Sequence, residues 1–195
     1  KRSNSLPIRW VKTIYQIVKN GKKSDLIFVN GLGIESTIAN LILKKQLIRK
    51  IVGDPVWERA YNQKKTTESF DEFQKNKHSF VIEVQKLLRN WSINSAEIVI
   101  TPSDHLKSFV SGLGFSNKIL KINNGVDITE IKKTNIHKAD VNLLIISRLV
   151  VQKNINIVIE AIGLLDDMNL KLSIIGEGGE FSKLEGLIHD LNLQN

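Results

Sequence analysis

The chain has 195 residues, enough for one large domain or parts of two. At 42% hydrophobic and 25% charged it is globular in composition, and with no cysteine and four scattered histidines it offers neither disulfides nor a metal-ligand cluster, so no metal is expected. The net charge of +8 is unevenly placed: residues 1–138 carry 24 Lys/Arg against 12 Asp/Glu, and residues 139–195 carry 4 against 8. One half is therefore expected to meet something anionic, with membrane phospholipid, nucleic acid and an acidic acceptor as the classes to separate. No apolar run reaches the ~18 residues of a membrane span, and Arg148 interrupts the best candidate. A chain without cysteine is compatible with a reducing cytoplasm. It begins at Lys1 rather than Met, and both ends read as cuts in a longer protein.

Residues 6–20 read as a helix with Leu6, Trp10, Val11, Ile14, Ile17 and Val18 on one side and basic residues off that face. Such a helix either lies on an anionic membrane or covers a sheet. A short strand over Asp25–Val29 leads into Asn30-Gly31-Leu32-Gly33-Ile34-Glu35-Ser36, and Ile34, Ile38, Ala39, Leu41 and Ile42 then mark a helix to about Leu47. The next strand, Ile48 to Val52, ends at Gly53-Asp54-Pro55. Gly31-x-Gly33 after a strand, with Asp54 ending the next, nearly satisfies a dinucleotide fingerprint, although Ser36 stands where the third glycine belongs. The competing account is a tight turn for the glycines and a helix cap for Asp54. Residues 62–76 are polar and read as an exposed loop or broken helix, and Phe80, Val84, Leu87, Leu88 and Trp91 mark another packed helix.

Ala96-Glu-Ile-Val-Ile-Thr-Pro-Ser103 is a strand entering a helix that Ser103 caps, with Leu106, Phe109, Val110 and Leu113 inward and Gly114 as the stop. Ile119–Ile122 is the next strand, and Asn123-Asn124-Gly125-Val126-Asp127 a turn after it. Short links between strand, helix and strand require a parallel sheet. Thr129 to Asp140 has no apolar period and reads as a linker. Asn142-Leu-Leu-Ile-Ile-Ser147 is a buried strand running into Arg148, and Ile155, Val158, Ile159, Ile162 and Leu165 form one helical face just beyond Lys153. Ligands in open α/β sheets bind outside the carboxyl ends of the strands. Arg148, Lys153 and the amino terminus of that helix are thus placed either as a clamp for a diphosphate or as solvated surface charges. Leu170–Ile175 is a further strand, and Gly176-Glu-Gly178 turns into a helix carrying Phe181, Leu184, Leu187, Ile188 and Leu191. Gly176 and Gly178 serve either close approach to a nucleotide or the turn alone.

Ser-Arg-Leu-Val-x-x-Lys-Asn-Ile from Ser147, Ile-Glu-Ala-Ile from Ile159 and Leu-x-Ile-Ile-Gly-Glu-Gly from Leu172, in that order, resemble the donor-binding domain of the group 1 (family 4) retaining glycosyltransferases. The resemblance implies the GT-B fold, two Rossmann-like α/β domains with parallel sheets, both incomplete here. It implies an acceptor-side domain at 1–131 lacking its first strand, a linker at 132–140 and the start of a donor domain at 141–195. By the same resemblance Arg148 and Lys153 are expected to take the diphosphate of a sugar nucleotide, which is a co-substrate, so no cofactor is implied. Lys50-Ile-Val-Gly-Asp54-Pro-Val-Trp-Glu58-Arg-Ala60 is similar to a segment of bacterial members that faces the cleft between domains. Many relatives have a histidine there; this chain does not, and Asp54 is the nearest candidate for a catalytic contact with sugar hydroxyls. Asn30, Gly31, Gly125, Gly176 and Gly178 are the other positions that the resemblance sets near the cleft or the nucleotide. A glutamate pair that holds the donor in the family is absent from these 195 residues.

The expectation is a fragment of a glycosyltransferase, inactive alone, acting on a glycan or lipid-linked acceptor, cytoplasmic or peripheral at the inner face of the membrane. Two rivals stand beside it. One is a nucleotide-dependent oxidoreductase using Gly31, Gly33 and Asp54. The other is a basic module binding membrane or nucleic acid, although no aromatic stacking platform supports nucleic acid.

Overall fold

A computed structural model describes residues 6–127, 141–165 and 170–194. The chain divides into two compact units, Lys1–Trp57 with Ser69–Asp127, and Glu58–Glu68 with Ile128–Asn195. The linker expected at 132–140 lies outside the described residues.

In the first unit, the short β-branched runs Leu26–Asn30 (β1), Gln46–Lys50 (β2), Ile98–Thr101 (β3) and Lys118–Lys121 (β4) form one parallel sheet in the order β1-β2-β3-β4. Helices fill the connections, as parallel pairing requires. They are Gly33–Leu43 (α2), Pro55–Asn62 (α3), Phe70–Lys75 (α4), Phe80–Asn94 (α5) and Asp104–Gly112 (α6), with Leu6–Gly21 (α1) ahead of β1. Ser103 caps α6 by accepting the Leu106 amide at 3.3 Å. Of the exposed loop or broken helix expected over residues 62–76, the helix is α4, started by a reciprocal capping box in which the Ser69 and Glu72 side chains each accept the other's backbone N–H.

Strand order follows chain order without reversal, and α2, α5 and α6 share one face of the sheet, as right-handed crossovers in that order require. Burial alternates accordingly. Val29, Leu47, Val99 and Thr101 are buried against the helices, whereas Phe28 on the opposite face of β1 is half exposed. The core on the covered face joins these strands to Ile93, Phe109 and Val110. An open apolar groove of 630 Å³ runs beneath α1 along the unpaired edge of β1. It is the consequence of that free edge.

Two helices bury the face that periodicity assigned to solvent. In α2 the buried positions are Ser36 and Thr37, beside Ala39 from the expected face, and Leu41 and Ile42 are exposed. In α5 they are Ile82, Lys86, Arg89, Ser92 and Ile93, and Phe80, Leu87 and Trp91 are exposed. The cause is in the sheet: β2 turns Arg49 inward, and its guanidinium donates to Ser92 Oγ. Thr37 then joins Ser92 at 3.2 Å and Ser95 at 3.0 Å, so α2 and α5 meet through small polar side chains. Lys86 is buried because its ammonium donates to the carbonyls of Phe73 and Asn76 at 2.9 Å, closing the carboxyl end of α4, and pairs with Glu83 at 3.1 Å. Polar residues go inward here because each has partners there.

The second unit holds Val141–Ile146 (β5) and Leu170–Ile175 (β6), parallel and in register from Val141↔Leu170 to Ile146↔Ile175. Ile155–Gly163 (α7) and Phe181–Asp190 (α8) pack on one face of the pair, around Leu149, Ile155, Ile159 and Leu184. The apolar face expected for α7 is the one that it buries at Ile155 and Ile159; Leu165, beyond its end, is exposed.

Candidate functional site

Backbone pairing continues past the ends of β5 and β6: the Ser147 amide donates to the Ile175 carbonyl at 3.0 Å and the Leu149 amide to the Glu177 carbonyl at 2.9 Å. Strand alternation therefore still holds at Arg148. Leu149 points into the core and Arg148 out to solvent. Beyond it, a single 3₁₀ turn, Val151–Lys153, ends at Asn154, which takes the left-handed conformation (φ 49°) and starts α7. No side chain caps that helix, so its first amides remain open donors. Arg148 and Lys153 are both exposed, and among the described residues neither has an acidic partner. Two unpaired cations in the stretch that leads into a nine-residue helix, at the carboxyl end of a parallel pair, make this the candidate site, with the charge and open donors that an anion requires.

Gly176 and Gly178 support this site from behind. A Cβ at Gly176 would run into the Ser147 carbonyl, and one at Gly178 into the Leu149 backbone. The Glu180 amide donates to the Leu149 carbonyl at 3.0 Å. Both glycines are needed for this backbone-to-backbone approach, which fixes the segment carrying Arg148, before any ligand is considered.

At the carboxyl end of the other sheet, Asn30, the last residue of β1, and Gly31 after it are exposed. Gly31 (φ 89°) and Leu32 (φ 46°) are both left-handed and turn the chain into α2. Gly33 has a different reason: a side chain there would collide with the guanidinium of Arg49. Burial pushes that guanidinium down to about 10, opposed by the charge of Glu35. Gly33→Ala is expected to cost about 1–3 kcal/mol through this overpacking. Gly31→Ala meets no neighbour and should cost only about 1 kcal/mol, the conformational penalty. Urea unfolding of the two variants checks the ranking.

Asp54 is fully buried. Its Oδ1 accepts the Val56 amide at 3.0 Å, and its Oδ2 accepts Gln74 Nε2 at 3.0 Å and the guanidinium of Arg89. Arg89 also donates to Gln74 Oε1 at 3.1 Å and lies 5.3 Å over the Phe109 ring. Burial lowers the Arg89 pKa, and the Asp54 charge works against that shift. Of the two readings of Asp54, these contacts describe the helix cap, joined to a buried ion pair; the carboxylate has no exposed surface to offer a sugar or a ribose. The fingerprint residues Gly33 and Asp54 are thus both engaged with arginines of the chain itself. Gly125 follows β4, exposed and without close neighbours.

Sequence reasoning passed over Arg49, Lys86, Arg89 and Ser92. One signal was available: Leu47 and Arg49 of β2 and Ile51 just past its end alternate on one side, which sets a charge among inward positions.

Residues 126–195 match the family of glycosyl transferases group 1. A mutant of S. aureus TarM, in complex with Fondaparinux, alpha-GlcNAc-glycerol and UDP, superposes with a TM-score of 0.66 at 19% identity, covering 95% of this chain and 35% of that one. Anabaena HepE in complex with UDP gives 0.63 at 18% identity, covering 93% and 49%. The apo form of the lipopolysaccharide outer core galactosyltransferase WaaB gives 0.53 at 18%, covering 96% and 47%. No curated protein matches the chain in sequence. The chain has the α/β fold, with parallel sheets, of the GT-B glycosyltransferases, and the resemblance read from its motifs holds. It spans about a third to a half of the length of these structures.

Proposed function

We propose that the chain is part of a retaining glycosyltransferase that moves a hexose from a nucleoside diphosphate to a glycan or lipid-linked acceptor in the cytoplasm. The observation that carries this is the pair of unpaired cations, Arg148 and Lys153, at the uncapped start of α7. They lie within the segment that matches the group 1 family, and two of the neighbours hold UDP. In the reaction the bond from the anomeric carbon to the diphosphate oxygen breaks, and the acceptor hydroxyl oxygen bonds to the same face of that carbon. The hydroxyl proton passes to the departing diphosphate. Arg148 and Lys153 meet the charge that grows on that group, a fixed electrostatic stabilisation of the transition state. The reading asks for no cofactor beyond the sugar nucleotide, and assigns residues 1–131 to the acceptor and 141–195 to the donor.

Residues 1–195 alone are expected to transfer no sugar, because the rate depends on holding both substrates in one orientation and the neighbours use two to three times this length. The test uses the full-length protein with a panel of sugar nucleotides, the anomeric configuration of the product being read by NMR. Product with the donor's configuration is expected. An inverted product would contradict retention, and absence of transfer or donor hydrolysis from every sugar nucleotide would contradict the class.

A further inference from the structure

The outward side of the helical layer in the first unit is apolar where a solvated layer would be polar. α1 packs on α2 and α2 on α5, so the three lie side by side. The contact of α1 with α2 is close enough that a Cβ at Gly21 would collide with Leu43. With Ser36, Thr37, Ser92 and Arg89 turned inward, Leu41, Ile42 and Leu87 are left 64%, 66% and 67% exposed. Trp91 and Phe80 continue the stripe on α5. On α1, Ile8, Val11 and Tyr15 share an exposed face with Lys12 and Lys19, at helical spacing. Of the apolar side expected from periodicity only part is outward: Val11 is exposed with Ile8 and Tyr15, whereas Ile14, Ile17 and Val18 are partly buried.

We propose that the outward faces of α1, α2 and α5 form a membrane-contact surface for an anionic bilayer. Single exposed apolar residues need no explanation, but a layer of three adjacent helices does. Charge selects the occupant. Lys12, Lys19, Lys22, Lys23 and Lys44 are exposed around the apolar stripe, and among the described residues none has an acidic partner. A second copy would bring like charges together across the contact, which is unfavourable. Anionic headgroups match the lysines, while the bilayer interface takes Leu, Phe and the amphipathic rings of Tyr15 and Trp91. Among the described residues no helix is long and apolar enough to cross a membrane, so the contact is interfacial. This inference does not rest on the transferase reading, and its failure would leave that reading standing.

The test is sedimentation of the protein with vesicles of phosphatidylglycerol and phosphatidylcholine, against vesicles of phosphatidylcholine alone. Binding to the anionic vesicles is expected, weakening with salt. Lys12→Gln and Lys19→Gln should each reduce it about fivefold. Because the chain has no cysteine, a fluorophore on Leu87→Cys reports this face alone, with Ser116→Cys as a control elsewhere on the first unit. The Leu87 label should shift to shorter wavelength only with anionic vesicles, and the Ser116 label should not shift. Equal binding to both vesicle types, no effect of the glutamine variants, or shifts at both labels would overturn the proposal. So would a Leu87 label already buried without lipid, which would assign the face to other polypeptide, or a lipid-independent dimer that the label disrupts.

Discussion

Replacing Asp54 by alanine is expected to destabilise the first unit by about 3–5 kcal/mol, the cost of leaving one member of a buried ion pair without its partner. Asp54 does three things at once. It accepts the Val56 amide at the start of α3, accepts Gln74 from α4 and neutralises Arg89 of α5. Arg89 is itself buried, so its charge would remain in a poorly solvated site with Gln74 and Asn90 as its remaining acceptors. Removing both charges with Asp54→Asn and Arg89→Met should cost less than Asp54→Ala alone, because no uncompensated charge then remains. All three tryptophans, Trp10, Trp57 and Trp91, lie in the first unit, so fluorescence-detected urea unfolding reports on it. A loss below about 1 kcal/mol for Asp54→Ala would mean that this pair is solvated rather than buried.

The second large effect is on ligand binding. Arg148→Ala or Lys153→Ala in the full-length protein should each weaken nucleoside-diphosphate binding by about 1.5–3 kcal/mol, roughly 10- to 150-fold, the worth of a charged hydrogen-bonding group. In the proposed reaction the same two charges meet the departing group, so catalysis should fall with it. Arg148→Lys should rescue only in part, because an ammonium lacks the planar fork that binds two oxygens at once. Neither substitution should disturb folding, since both side chains are exposed and Leu149 between them carries the packing. Unfolding curves of the variants are therefore expected to overlay that of the parent.

What was readable in the sequence follows from how local each determinant is. The site on β5 and α7 lies in one uninterrupted stretch, Ser147 to Ile155, where strand alternation and helical spacing alone set Arg148 outward and Ile155 inward. The Ser103 cap of α6 was legible for the same reason. The facing of α2 and α5 was not, because it is decided by Arg49, on a third element. Apolar periodicity assigns the wide Ile and Leu face to the core, but an inward arginine needs Ser92 on α5 and the space at Gly33 on α2 beside it. The Gly31-x-Gly33 fingerprint misleads by the same mechanism: a glycine that admits a guanidinium looks the same in sequence as one that admits a pyrophosphate. The pairing of Asp54 with Arg89 joins residues 35 positions apart and leaves no short-range trace.

The most direct test of the central claim, that Arg148, Lys153 and the start of α7 form a diphosphate site, is calorimetric titration of the full-length protein with UDP, UMP and NAD⁺. The account predicts that UDP binds more tightly than UMP, that NAD⁺ does not displace UDP, and that the preference for UDP over UMP disappears in the Arg148→Ala/Lys153→Ala variant. Equal affinity for UDP and UMP in the parent protein, or a preference for UDP that survives the loss of both cations, would contradict it.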